Sequence, residues 1–255
     1  MTVVARMLDI PAPSGSMDCF VAHPDGARPL PLVVMFMDVW GLREELFALA
    51  RRVAGEGYVC ALPNLFYRHG RLRFTYRTPD GKAMSFVDLP RDVQDHMRSF
   101  SRQVARESVR EDIGAILAAA KSWPVSDGPA GSVGFCLGGR ATFYAGQEFP
   151  DRFRANASLH GTLLYTDLPL SAHRKIGAMR GEMYCGYGEL DDQSTPAIVE
   201  ALGRLFKENP NVAYRGVVHP GAKHGYSMPD RDVHDRAATD EDWREIFAML
   251  RRQLG

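Results

Sequence analysis

Gly134-Phe135-Cys136-Leu137-Gly138-Gly139 sets a nucleophilic side chain between glycines two places before and two places after it. A sharp turn from strand to helix needs that spacing, because the central residue takes a strained backbone conformation and a Cβ at either flank would collide with it. Such a turn points the Leu137 N–H and the start of the following helix at the same space as the Cys136 sulfur, so an anion forming there is stabilised. The chemistry expected is attack of a thiolate on a carbonyl carbon.

A thiol in this role needs a histidine, and the histidine an acid, and both follow along the chain in the order nucleophile, acid, histidine. The acid is expected in Gly188-Glu-Leu-Asp191-Asp192-Gln-Ser-Thr-Pro196, a loop between a strand and a capped helix. Asp192 is preferred and Asp191 is its rival; the loser would be a loop carboxylate that hydrogen-bonds its own turn. After the last strand, Val218-His219-Pro220-Gly221-Ala222-Lys223-His224-Gly225-Tyr226 offers two histidines. His224 lies on the glycine-bearing turn, whereas His219 ends the strand and precedes a proline, so His224 is the expected base. The other six histidines read as solvated or packed.

Strands and helices must bring these three segments together. The β-branched and apolar run Pro31-Leu-Val-Val-Met-Phe-Met-Asp-Val-Trp-Gly41 reads as a strand buried on both faces and ended by Gly41. A helical face follows with Leu42, Leu46, Leu49, Ala50 and Val53, stopped by Gly55 and Gly57, and then a second strand over 58–65. This is a strand–helix–strand unit. Residues 66–107 read as an irregular excursion and candidate lid, with arginines at 68, 71, 73 and 77 and a Thr78-Pro79-Asp80-Gly81 turn. Ser108-Val-Arg-Glu111 reads as a capping box opening a helix that Pro124 closes. Strands are expected over about 130–135, 155–159, 181–186 and 212–218. Helices are expected after the Cys136 turn, after Thr195-Pro196, and from a cap at Thr239-Asp-Glu-Asp242. The alternation predicts one domain over 1–255, an α/β fold with a mainly parallel sheet and helices on both faces.

Composition narrows the partners. Lysine plus arginine and aspartate plus glutamate each total 31 of 255 residues, so no polyanion-binding surface is demanded and nucleic acid is not an expected partner. A 45% hydrophobic and 24% charged chain is ordinary globular material. The N-terminal MTVVARMLDIPAPSGS is interrupted by Arg6, Asp9 and two prolines, and no window approaches 18 apolar residues, so a soluble chain without a membrane partner is expected. Cys19, Cys60, Cys136 and Cys185 lie far apart without CxxC or zinc-site spacing, which suits the cytoplasm and predicts no metal. No nucleotide motif appears, so no cofactor is expected.

Met37-Asp-Val-Trp-Gly41, Leu62-Pro-Asn-Leu-Phe66, the GFCLGG turn, Asp192 with Pro196, and Pro220-Gly-Ala-Lys-His-Gly-Tyr226 together resemble the dienelactone hydrolase family of the α/β-hydrolase fold, over most of the chain. The resemblance implies a triad of Cys136, Asp192 and His224, with oxyanion N–H groups at Leu137 and Val39. Dienelactone-cleaving members carry a glutamate held to help ionise the thiol where this chain has Asp38, which is thereby the candidate activator. They also place a substrate-binding arginine four residues after the histidine, where this chain has Met228; Arg68, Arg71, Arg73 and Arg77 are candidates for another anion clamp.

The implied reaction is cofactor-independent hydrolysis of a small-molecule ester or lactone through a thioester acyl-enzyme, by a monomer or small homo-oligomer. Two other classes fit the same residues: a catalytically silent ligand-binding protein on the hydrolase shell, and a redox-sensing thiol at Cys136.

Overall fold

The computed structural model describes residues 2–26 and 28–255. Two antiparallel strands open the chain, β1 (Val3–Ala12) and β2 (Gly15–Pro24), paired in register from Val3–Pro24 to Ala12–Gly15. Most of β1 is open to solvent while β2 is largely buried, so Arg6, Asp9 and Pro11 of β1 blunt the edge of a sheet. The strand–helix–strand unit follows as β3 (Leu32–Phe36), α1 (Glu44–Gly55) and β4 (Val59–Pro63), with every residue of both strands buried.

The excursion is more ordered than its composition suggests. Short 3-10 turns at Tyr67–His69 and Phe86–Asp88 lead into α2 (Arg91–Gln103), a full helix. Its inner stripe of Val93, Met97 and Phe100 has helical spacing, a signal hidden among arginines and histidines. Helix α3 (Arg106–Ala120) begins two residues before the expected cap, since Ser108 sits in its first turn and accepts from the Ala105 N–H at 3.0 Å. Beyond lie β5 (Ala130–Phe135), α4 (Leu137–Glu148), β6 (Phe153–Leu159), β7 (Gly181–Gly188), α5 (Pro196–Glu208), β8 (Val212–His219) and α6 (Arg236–Leu254). The cap of α6 is Asp235, which accepts from the Ala238 N–H at 3.0 Å; Thr239 lies inside the helix, its hydroxyl on the Asp235 and Tyr226 carbonyls.

One eight-stranded sheet results, in the order β1-β2-β4-β3-β5-β6-β7-β8. Pairs involving β2 are antiparallel and all others parallel. Helices α1 and α6 meet on one face, where the Arg52 guanidinium lies 5.0 Å from the Trp243 ring. Helices α3 and α4 pack together on the other face. Because the parallel strands run the same way, the turns after β3, β5, β7 and β8 emerge at one end of the sheet, where open α/β sheets bind their ligands. Among the described residues, no helix is long and apolar enough to cross a membrane.

Candidate active site

The turn between β5 and α4 carries Cys136 with φ 55° and ψ −114°, a left-handed conformation that a side chain adopts only under constraint. The glycines on either side make it possible: a Cβ on Gly134 would strike the Gly138 carbonyl, and one on Gly138 would strike the carbonyls of Phe36 and Met37. The Cys136 carbonyl accepts from the N–H groups of Gly139 at 3.0 Å and Thr162 at 3.1 Å, fixing the turn from both sides. The thiol is partly exposed, whereas Cys19, Cys60 and Cys185 are buried. Burial raises the thiol pKa of Cys185 to about 12 and pushes Cys19 and Cys60 higher still, so those three are inert.

His224 stands beside Cys136 on the loop after β8. Its Nδ1–H donates to Asp191 Oδ2 at 2.9 Å, which leaves Nε2 for the sulfur. The carboxylate that meets His224 is therefore Asp191, where the sequence favoured Asp192. The Asp191 carboxylate is fully buried; its Oδ1 accepts from the Gln193 N–H at 2.8 Å. Asp192, one residue on, is exposed and accepts only from the Gln193 side chain at 3.1 Å. A bond from the Leu190 N–H to the Ala222 carbonyl at 2.9 Å ties the loop of Asp191 to the loop of His224.

Burial works to strip the proton from His224, but the neighbouring Cys136 sulfur and the hydrogen bond to Asp191 outweigh it, raising the pKa from 6.5 to about 10. A folded value above the unfolded one means that the imidazolium contributes stability in full below about pH 6.5 and loses it as pH climbs through about 10. With the sulfur the largest raising influence, Cys136→Ala should move the His224 titration midpoint down, read by NMR of the ring protons. An unmoved midpoint would mean that the thiolate is not the counter-ion of His224.

Asp38 lines the same cleft as Cys136, and both of its carboxylate oxygens are engaged within its own loop. Arg43 Nη1 and Nη2 donate to its two oxygens at 2.6 and 2.9 Å, and the Trp40 N–H adds a third bond at 3.0 Å. The same guanidinium holds Asp230 at 2.7 Å. This buried Asp38–Arg43–Asp230 cluster, one guanidinium shared between two carboxylates, pins the loop after β3. Among the described residues, the N–H groups of Val39 and Leu137 engage no carbonyl or side chain, which leaves both free to donate to a ligand.

Cys136, His224, Asp38, Val39 and Trp40 share a cleft of about 570 Å3. None of the four arginines proposed as an anion clamp lines it. Arg68 pairs with Asp112, Arg71 with Asp9 and Arg77 with Asp230. Met228 is buried in the core. The cations at the wall are instead Arg98 and Arg102 of α2, Lys223, and Arg231, which lies over the Trp40 ring at 5.1 Å. Sequence reading also passed over His160, at the end of β6, whose ring meets that of His224 edge to face at 5.1 Å. Its Nε2 and the Ser227 hydroxyl are 2.8 Å apart, and burial keeps it neutral.

A model of the dienelactone hydrolase family matches residues 17–254. A Synechocystis sp. protein named "Putative carboxymethylenebutenolidase" is 25% identical over 257 aligned positions, covering 99% of this chain and 98% of its own. Among solved structures, a protein from Klebsiella pneumoniae titled "Putative Dienelactone Hydrolase" superposes with a TM-score of 0.84 at 21% identity, covering 99% of this chain and all of that one. A dienelactone hydrolase-like promiscuous phosphotriesterase from metagenomic libraries gives 0.74 at 18% identity, each chain fully covered. These superpositions place the sheet and its helices in the α/β-hydrolase fold. Since the family match runs without a break from the second strand to the last helix, the chain belongs to the dienelactone hydrolase family.

Proposed function

We propose that this hydrolase cleaves small-molecule carboxylic esters or lactones, with Cys136 as nucleophile, His224 as proton carrier and Asp191 as the acid that orients it. The observation carrying this reading is the Asp191–His224–Cys136 alignment at the wall of the cleft. The thiolate attacks the carbonyl carbon, a C–S bond forms, and the carbonyl electron pair moves to oxygen, where the Leu137 and Val39 N–H groups receive the charge. On collapse the C–O bond breaks and the leaving oxygen takes the proton from His224, leaving a thioester on Cys136. A water molecule then gives a proton to His224 and attacks the thioester; the C–S bond breaks, the acid product departs and the thiolate is restored. Because a thiolate leaves more readily than an alkoxide, esters with good leaving groups and strained lactones suit the site better than amides. Four free cysteines fit work in a reducing compartment such as the cytoplasm.

The test is a panel of p-nitrophenyl esters and lactones with rapid quench and intact-mass analysis. A burst of product with an acyl adduct on Cys136 is expected. Binding without a burst, an adduct or turnover would make the protein a ligand-binding member of the fold.

A further inference from the structure

Arg140 lies on α4 one helical turn beyond Cys136 and is completely buried. Guanidinium groups at that depth are normally matched by carboxylates. The partners of Arg140 are uncharged: Nη2 donates to the Ser101 and Val104 carbonyls at 2.8 and 3.2 Å, and Nη1 to the Thr162 hydroxyl at 3.3 Å. Its Nε–H has no acceptor among the described residues. The two carbonyls are at the C-terminal end of α2, the negative pole of that helix. Thr162 in turn donates its N–H to the Cys136 carbonyl at 3.1 Å. Burial pulls the pKa of this guanidinium down from its usual value far above neutrality, yet a guanidinium stays protonated in proteins, so a positive charge is held between the nucleophile turn and the helix that walls the cleft.

The neighbouring charges are largely spent on one another. On α4 itself, the Tyr144 hydroxyl donates to the Leu170 carbonyl, and burial raises its pKa, so it stays neutral. On α3, Arg106 pairs with Glu148 at 3.4 Å and stacks over Tyr144, with Glu107 further out. On the turn packed against α4, Lys175 also reaches Glu148, at 3.1 Å. Across the cleft, His224 is paired with Asp191 and Asp38 with Arg43, and His160 is neutral; Arg98 pairs with Asp95, while Arg102, Lys223 and Arg231 carry further positive charge at the wall and Asp192 a negative one.

We propose that Arg140 is a positioning residue that supplies a second positive charge for the Cys136 thiolate, additional to His224, while stapling the end of α2 over the site. The inference rests on the nucleophile role proposed for Cys136. Its charge favours ionisation of the thiol and, later, the anion at the Leu137 N–H.

The experiment is the pH dependence of Cys136 alkylation by iodoacetamide, located by mass, in the wild type, Arg140→Lys, Arg140→Gln and Arg140→Met, with folding followed by circular dichroism. Both neutral variants are expected to move the midpoint up by about one pH unit, alkylating about tenfold more slowly at a pH below both midpoints. Arg140→Lys should keep the wild-type midpoint. Arg140→Gln, which can still donate to a carbonyl, carries the test if Arg140→Met does not fold. An unmoved midpoint in the neutral variants, a change confined to the plateau rate, or an equal shift in Arg140→Lys would each overturn the proposal, leaving Arg140 a structural staple. Ester hydrolysis separates the two readings. If it survives in Cys136→Ala, the proposed function fails while the alkylation shift can still stand; if it dies there and no shift occurs, only the role of Arg140 is lost.

Discussion

Cys136→Ala should lower hydrolysis of activated esters to below about a hundredth of the wild-type rate, because Cys136 is the nucleophile at the strained turn beside His224, while the Ser85, Ser101 and Thr162 hydroxyls of the cleft have no histidine partner. The oxyanion donors and the histidine would remain, so residual turnover would come from water activated by His224 in the same cleft. A steady-state rate with p-nitrophenyl acetate and its titration by iodoacetamide are the readouts. Retention of more than about a hundredth of the activity would move the chemistry to another group. The three other thiols offer no substitute: each is buried and held protonated. Stability should change little, since Cys136 is partly exposed and its turn is fixed by backbone bonds from Gly139 and Thr162.

The second large effect separates two adjacent residues. Asp191→Asn is expected to cost between about 10²- and 10⁴-fold in kcat, because an amide facing Nδ1 no longer enforces the tautomer that directs Nε2 at the sulfur or balances the imidazolium. Asp192→Asn removes a charge from an exposed side chain and should stay within about threefold of wild type. Circular dichroism on both variants separates lost chemistry from lost fold. The reverse ranking would return the acid role to Asp192. The mutant pair is informative because the two side chains share a loop, a charge and a neighbour in Gln193, and differ in which one meets His224.

That pair also marks the boundary of what a linear reading can reach. Bonding its own turn, the part expected of the losing acid, is played by Asp191 as well: one oxygen holds the Gln193 N–H while the other meets His224. Both acids fit the local pattern. The choice depends on how the loop after β7 lies against the loop of His224, to which the Leu190 bond to Ala222 ties it. Asp38 repeats the lesson. The family resemblance marks this carboxylate as a thiol activator, but only the fold reveals that it shares the Arg43 guanidinium with Asp230, 192 residues further along the chain.

What was legible in the sequence is local. Glycines spaced around Cys136 announce the strained turn, apolar runs announce strands buried on both faces, and the order of nucleophile, acid and histidine follows from chain direction; all depend on neighbours within a few residues. Helix α2 was missed: residues 66–107 read as irregular because arginines and histidines surround the helical spacing of Val93, Met97 and Phe100. Only the tertiary structure decided which aspartate faces His224, which arginines line the cleft, and that Arg140 is buried without a carboxylate. Those outcomes turn on Coulombic and hydrogen-bonding partners far apart along the chain, and the partner a charged group finds is set by where the sheet brings its loops together.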